Sequence, residues 1–478
     1  MRGKGIISTC LILFGASLTF RLLSFNQTSY ANGWDGYFYI NQVRSFIEEG
    51  KMDVPDISLV YPMMMLVQIF TGDYLLSYKL TASILAGGFT VSLFLLALKW
   101  GEDYRKALLP GCLSVFSPHL TYFACQYPKN LLGLVFFVWL LYVADSRYRI
   151  VPILLLALNF VGHRVTAVLG FVFLLGNGIL ERAGRMLPYV LIIFVMLFVA
   201  GGALLPGVLN FFDVERFRGV VSGELQFAPY SFLRSFGTAL VSPWWLAEII
   251  LCCVFFFASL LYVLRERDSR LAITLFILAA LIFPFFEWST DGPAFRFFLM
   301  FVLLSPVTLI FLLKPLRTNY VTDGICVLLI AASFFSFKSY DPARHDPPYK
   351  VYSSISEQLQ STVDVELIIA HKTLAEYIVY STGVDAMSWI PEYKVDPERL
   401  WRIAEGVRDI QFDFYLDPDD LKLVHRLTPS YTLLREDCWQ KFLQRVKDDG
   451  NNELLQELTS WKNPDKVRPY FLLRNKGL

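Results

Sequence analysis

A few ionisable residues interrupt a strongly apolar chain, and their types suit proton transfer and anion binding. Asp35 stands in Gly33-Trp34-Asp35-Gly36, just ahead of a stretch with helical periodicity. A carboxylate there can cap the helix by accepting from its first N–H groups, or it can take a proton or bind a metal. The two uses are compatible, because a cap would fix the carboxylate in place. Four further segments carry cations or imidazole: Lys129 in Cys125-Gln126-Tyr127-Pro128-Lys129-Asn130, the pair His163-Arg164, Arg296 after Ser289-Thr290-Asp291-Gly292-Pro293-Ala294-Phe295, and Arg218 in a mixed-charge loop with Asp213, Glu215, Arg216 and Glu224. Each has a plain structural use as well. Lys129 can snorkel to headgroups, Arg296 can pair with Asp291, and a mixed-charge loop can simply be solvated.

The elements that must position these residues are membrane helices. The chain has 478 residues, of which 55% are hydrophobic and 18% charged, against about 25% charged in soluble globular proteins. The apolar excess is confined to the region before residue 338, which predicts a membrane domain over 1–338 and a soluble domain over 339–478. A bilayer core takes about 20 apolar residues per helix. Runs of that kind near 6–24, 74–98, 106–123, 130–145, 150–162, 165–180, 186–209, 245–264, 271–287, 296–313 and 320–338 predict about 11 spans. The first reads as a retained span, since no small-x-small cleavage site precedes Gln27. The short apolar stretch Tyr61 to Phe70 suits an interfacial or re-entrant helix.

Orientation follows from the excess of Lys and Arg in cytoplasmic loops. Arg2 and Lys4 start inside, and alternate loops then carry Lys99, Arg105 and Lys106; Arg147 and Arg149; Arg182 and Arg185; Arg265, Arg267 and Arg270; Lys314 and Arg317. This places the N-terminus in the cytoplasm and the C-terminal domain outside, in the periplasm or cell exterior of a bacterium or the lumen of a eukaryote; a bacterial inner membrane is expected over the endoplasmic reticulum. Asp35, Lys129, His163, Arg164, Arg218 and Arg296 then all fall at the outer face. One carboxylate against several cations suits a lipid-phosphate substrate, because Lys and Arg neutralise phosphate charge and Arg can do so bidentately.

The first outer loop, 25–58, contains an amphipathic helix: Ile40, Val43 and Ile47 recur at helical spacing from Tyr37, and Gly50 is a stop. Such a helix would lie on the membrane surface. The C-terminal region opens with the linker signals Asp341-Pro342 and Pro347-Pro348, then alternates helix-like and strand-like stretches, which predicts an α/β or α+β domain. The net charge of +1 offers no footprint for nucleic acid, and the seven cysteines follow neither zinc nor disulfide spacing. No Gly-rich phosphate loop, Gly-x-Ser-x-Gly or His-Glu-x-x-His motif is present.

The first loop resembles that of the GT-C superfamily of polytopic membrane glycosyltransferases, which includes the protein O-mannosyltransferases, the aminoarabinose-lipid A transferases and oligosaccharyltransferase catalytic subunits. The resemblance rests on Asp35, on Gly36-Tyr37-Phe38-Tyr39, on the helix ending Glu48-Glu49-Gly50-Lys51, on Tyr61-Pro62-Met63, and on Arg296 followed by Pro306. It implies transfer of a sugar from a polyprenyl-phosphate donor to a hydroxyl on a lipid, glycan or protein of the cell envelope, by an inverting reaction at the outer face. Asp35 would be the general base, and Lys129, Arg164, Arg296, Arg218 and His163 would hold the phosphate. Many members carry a second acid beside the first or in the second outer loop. Here Gly36 follows Asp35 and the segment Cys125 to Asn130 has no acid, so a metal-independent reaction is expected over one using a divalent metal. A transporter or flippase for a lipid-linked or anionic solute would use the same cations. Against it, the two halves show no internal repeat and no paired broken helices.

Overall fold

The structure, a computed structural model, describes residues 3–52, 56–176, 243–282, 293–313, 340–360 and 367–387 apart from 102, 149, 267, 268 and 371, and scattered positions beyond these, strands within 430–474 among them. The chain divides into two compact units, one of Met1–Gly36 and Gln42–His345, the other of Tyr37–Asn41 and Asp346–Leu478.

The first unit is helical. Its helices are α1 (Gly3–Phe25), α2 (Gly36–Glu49, of which Tyr37–Asn41 belong to the second unit), α3 (Val60–Thr71), α4 (Tyr74–Gly101), α5 (Tyr104–Phe116), α6 (Pro118–Gln126), α7 (Pro128–Val143), α8 (Ile150–Gly162), α9 (Arg164–Leu174), α10 (Pro243–Glu266), α11 (Ser269–Ile282) and α12 (Pro293–Leu304). After α12 a 3-10 turn, Ser305–Val307, leads into α13 (Leu309–Leu313). The long α4 is the hub, packed against α1, α3, α5 and α7. Lipid tails are as apolar as Leu, so packing and interhelical hydrogen bonds must hold such helices together. Thr90 on α4 supplies both, bonding to Ser17 of α1 at 3.1 Å and to Ser114 of α5 at 3.0 Å.

The continuous span expected over 106–123 is not observed. The helix breaks at Ser117-Pro118, because proline has no N–H to donate and drives the preceding residue out of the helical region; Ser117 sits at φ −64° and ψ 118°. Backbone carbonyls freed inside a membrane protein must find donors. The fully buried Arg21 supplies them, donating to the carbonyls of Ser114 at 2.8 Å, Ser117 at 3.1 Å, and Val115. A second break follows at Tyr127, where α6 and α7 bend by 118°.

Among the described residues four helical stretches are long and apolar enough to cross a bilayer, Lys4–Phe25, Tyr74–Gly101, Trp245–Tyr262 and Arg296–Leu313, and the bent α6–α7 pair would make a fifth. The runs expected to span at 150–162 and 165–180 form the short helices α8 and α9, of 13 and 11 residues. The span expected at 186–209 lies outside the described residues. Three of the basic clusters read as inside loops meet at one end of the bundle. Asp145, after α7, lies 2.8 Å from Arg270 of α11 and 4.0 Å from Lys99 of α4.

The second unit contains α14 (Tyr349–Gln360), α15 (Lys372–Thr382) and a five-stranded mixed sheet. Its strands are β1 (Leu367–Ile369), β2 (Asp385–Met387), β3 (Ser430–Arg435), β4 (Asp465–Val467) and β5 (Tyr470–Arg474), in the order β2-β1-β3-β5-β4. β1 is parallel to β2 and β3, while β5 is antiparallel to β3 and β4. Tyr37 is held edge-on by Tyr349 and Tyr377, with ring centroids 5.1 and 5.0 Å away, and Asn41 donates to the carbonyl and carboxylate of Glu376, both at 2.8 Å. The apolar side of α2 is therefore mostly taken up by protein: Ile40 and Val43 are buried, and only Phe46 and Ile47 remain exposed as a surface helix would require.

Candidate functional site

Asp35 occupies the position before α2 but does not cap it, since its carboxylate makes no capping hydrogen bond. Its place is set by its backbone neighbours. Gly33 has φ +78°, a left-handed conformation, and a Cβ there would lie 2.8 Å from the carbonyl oxygen of Cys125; only glycine meets both conditions. The backbone N–H of Trp34 donates to Gln126 Oε1 at 2.6 Å. The Tyr78 hydroxyl donates to the carbonyl of Asn32 at 2.8 Å and also meets the carbonyl of Cys125. Upstream, the buried Lys79 donates to the carbonyls of Phe25 at 2.9 Å and Thr28 at 2.7 Å, closing the C-terminus of α1. The segment carrying Asp35 is thus fastened to the end of α6, beside the bend into α7.

The same bend carries one cation, Lys129, and meets a second, Arg296, at Tyr127. Lys129 is the second residue of α7, Arg164 the first of α9 and Arg296 the fourth of α12. Each lies in the first turn of its helix, where unpaired N–H groups and the helix dipole add positive potential. The Arg296 guanidinium stands 4.6 Å from the centre of the Tyr127 ring, and Lys129 Nζ stands 5.8 Å from that of Tyr61. His163 fills the break between α8 and α9. Burial, then the charges of Arg296, Lys129 and Arg164, push its imidazole down to about 3. All three cations therefore act on one imidazole, which is neutral at pH 7. Its Nδ1 is buried and has no hydrogen-bond partner among the described residues.

The close approach of that break to α7 depends on Gly133, one turn beyond Lys129. A Cβ on Gly133 would lie 2.2 Å from Thr166 Oγ1 and 2.6 Å from His163 Cβ. Thr166 in turn donates to Asn159 Oδ1 and to the carbonyl of His163, both at 2.7 Å, and so closes the α8–α9 joint.

Sequence reasoning misses Asp56. Its carboxylate pairs with Lys129, accepts from the Tyr61 hydroxyl at 2.9 Å, and opposes the burial that lowers the Arg164 guanidinium. Ser58, two residues on, bonds to the carbonyl of Gly162 at 3.3 Å. The only signal in the sequence is an acid shortly before Tyr61-Pro62 in the first loop, and nothing local shows that it meets Lys129. Arg218 and Asp291 lie outside the described residues. Among those described, no three His, Cys, Asp or Glu side chains come together as a metal-ligand set.

No family model matches the chain, and no curated protein matches its sequence. Solved structures do match its fold. One is ArnT from Cupriavidus metallidurans bound to undecaprenyl phosphate, 11% identical, with a TM-score of 0.59 over 91% of this chain and 94% of that one. Another is the archaeal oligosaccharyltransferase AglB from Archaeoglobus fulgidus, in complex with an inhibitory peptide and a dolichol-phosphate; it is 12% identical, with a TM-score of 0.51 over 98% of this chain and 74% of that one. Both are GT-C glycosyltransferases. With its bundle of apolar helices, the chain carries the fold of the GT-C membrane glycosyltransferases.

Proposed function

We propose that the protein is a membrane glycosyltransferase that moves a sugar from a polyprenyl-phosphate carrier to a hydroxyl acceptor at the outer membrane face. The observation that carries this reading is the bend between α6 and α7, which holds the Asp35 segment through Gln126 and the cation group through Tyr127 and Lys129. The solved neighbours support the donor class, since one was captured with undecaprenyl phosphate and the other with a dolichol-phosphate.

In this reading Asp35 accepts the proton of the acceptor hydroxyl as its oxygen attacks the anomeric carbon. The bond from that carbon to the phosphate oxygen breaks, the configuration inverts, and the lipid phosphate leaves with an added negative charge. Lys129, Arg164 and Arg296 stabilise that charge as it develops, because fixed positive groups in a water-poor site need no reorganisation at the moment of reaction. His163 is neutral and contributes as a hydrogen-bonding imidazole. The basic clusters gathered around Asp145 are consistent with a cytoplasmic end of the bundle there.

The test is turnover by purified protein given a polyprenyl-phosphate sugar and a membrane extract as the source of acceptors. The expected result is free polyprenyl phosphate together with glycosylated acceptor. Liposomes in which the protein moves the lipid-linked sugar across the bilayer with its glycosidic bond intact would establish a transporter instead.

A further inference from the structure

We propose that Asp56 is an internal counterion that occupies the phosphate site between turnovers and competes with the lipid phosphate for Lys129. This rests on the donor-site reading above and assigns a role to a residue outside the proposed chemistry. Three observations place it. The Asp56 carboxylate is ion-paired with Lys129. The same oxygen, Oδ2, accepts from the Tyr61 hydroxyl at 2.9 Å, which holds the carboxylate on the cation side of the loop. Asp56 also acts on Arg164, so one acid serves two of the three cations.

The need for such a residue is electrostatic. Three cations brought together by helix joints repel one another when no anion is bound, and in surroundings poorer than water in screening that repulsion is strong. A carboxylate on a loop relieves it. The pair is about three-quarters buried, with Lys129 25% and Asp56 21% exposed, so it is stronger than a fully solvated pair. The relief costs affinity, because an incoming phosphate must displace Asp56 before it meets Lys129. The effect falls hardest on the product. The donor phosphodiester carries one negative charge, whereas the released phosphomonoester carries about −1.5 to −2 at pH 7 and would otherwise be held tightly by three cations. Asp56 returning to Lys129 favours its release. No bond is made or broken in this exchange of one anion for another.

The experiment is binding of undecaprenyl phosphate to the purified full-length chain in nanodiscs, with wild type compared with Asp56→Asn and Asp56→Glu. The neutral variant should bind about fivefold more tightly, the worth of one partly buried ion pair, and should show stronger inhibition by added undecaprenyl phosphate in the transfer assay. Asp56→Glu keeps the charge and should stay within about twofold of wild type. If wild type binds the lipid and Asp56→Asn binds it equally or more weakly, the competition does not exist, while the donor-site reading stands. If neither wild type nor Asp56→Asn binds the lipid, both ideas fall together.

Discussion

At the scale of single residues, the site is built from side chains that the sequence makes conspicuous and one that it does not. Asp35, Lys129, His163-Arg164 and Arg296 stand out because a charge at the end of an apolar run has few uses. Asp56 has no such flag. It lies among ordinary loop residues, and its meaning comes from a partner 73 positions away. The neutral state of His163 is equally invisible in sequence, since its depressed titration comes from burial and from cations at the starts of α12, α7 and α9, two of them far away in the chain. That shift has a consequence for stability. In the unfolded chain the imidazole titrates near 6.5, and in the folded protein near 3. Below pH 6.5 the unfolded state therefore takes up a proton that the folded state refuses, so stability falls as pH drops from about 6.5 toward 3. Thermal melts of detergent-purified protein across that range should slope downward, and His163→Gln should flatten the slope. An unchanged slope would mean that the imidazole titrates normally. At the same scale, Lys129→Ala or Arg296→Ala should weaken undecaprenyl phosphate binding, by about tenfold or more for a charged hydrogen-bonded contact. Isothermal titration in nanodiscs would read this directly.

At the scale of elements, the joints between short helices do the positioning. The breaks at Ser117-Pro118, Tyr127 and His163 turn apolar runs into shorter pieces, and the first turns after the last two carry Lys129 and Arg164. The apolar pattern predicts a span over 106–123 because hydropathy averages across a proline, whereas Pro118 and the three carbonyls served by Arg21 decide the local structure. The stop of α2 at Gly50, with φ +77°, is legible because it depends on a local signal. The meeting of α7 with the α8–α9 joint is not, because it hangs on the absence of a Cβ at Gly133. Gly133→Ala tests this. The added methyl has no room, and overpacking of this kind costs about 1–3 kcal/mol. The melting temperature should fall, and transfer should fall with it as His163 and Arg164 are pushed off α7. Arg21→Met should also destabilise. It removes the guanidinium from three buried carbonyls; those of Ser114 and Ser117 keep longer bonds from Ser117 N–H and Thr121, while that of Val115 loses its side-chain donor, at about 1–3 kcal/mol for a group left unsatisfied, and the loss should appear as a drop in melting temperature.

At the scale of the whole molecule, the plan of a helical membrane unit is legible in composition alone, because long apolar runs have few other fates. The grouping of Tyr37–Asn41 with residues 346–478 is not, since it depends on tyrosine packing and on the Asn41–Glu376 bonds rather than on any periodicity. The proposed topology makes a direct prediction. Alkaline phosphatase fused after Leu478 should be active in a bacterial host and a fluorescent protein fused there should not, because each folds on only one side of the membrane. The reverse pattern would put the C-terminal domain inside and remove the basis for an outer-face site. Whether Asp35 is the base of a sugar transfer from a lipid phosphate is read from Asp35→Asn in a transfer assay with binding of undecaprenyl phosphate measured in parallel. Transfer should fall by about 10²–10⁴-fold, the usual worth of a positioned general base, while lipid binding stays at the wild-type level. Transfer at the wild-type rate by the Asn variant would contradict the account.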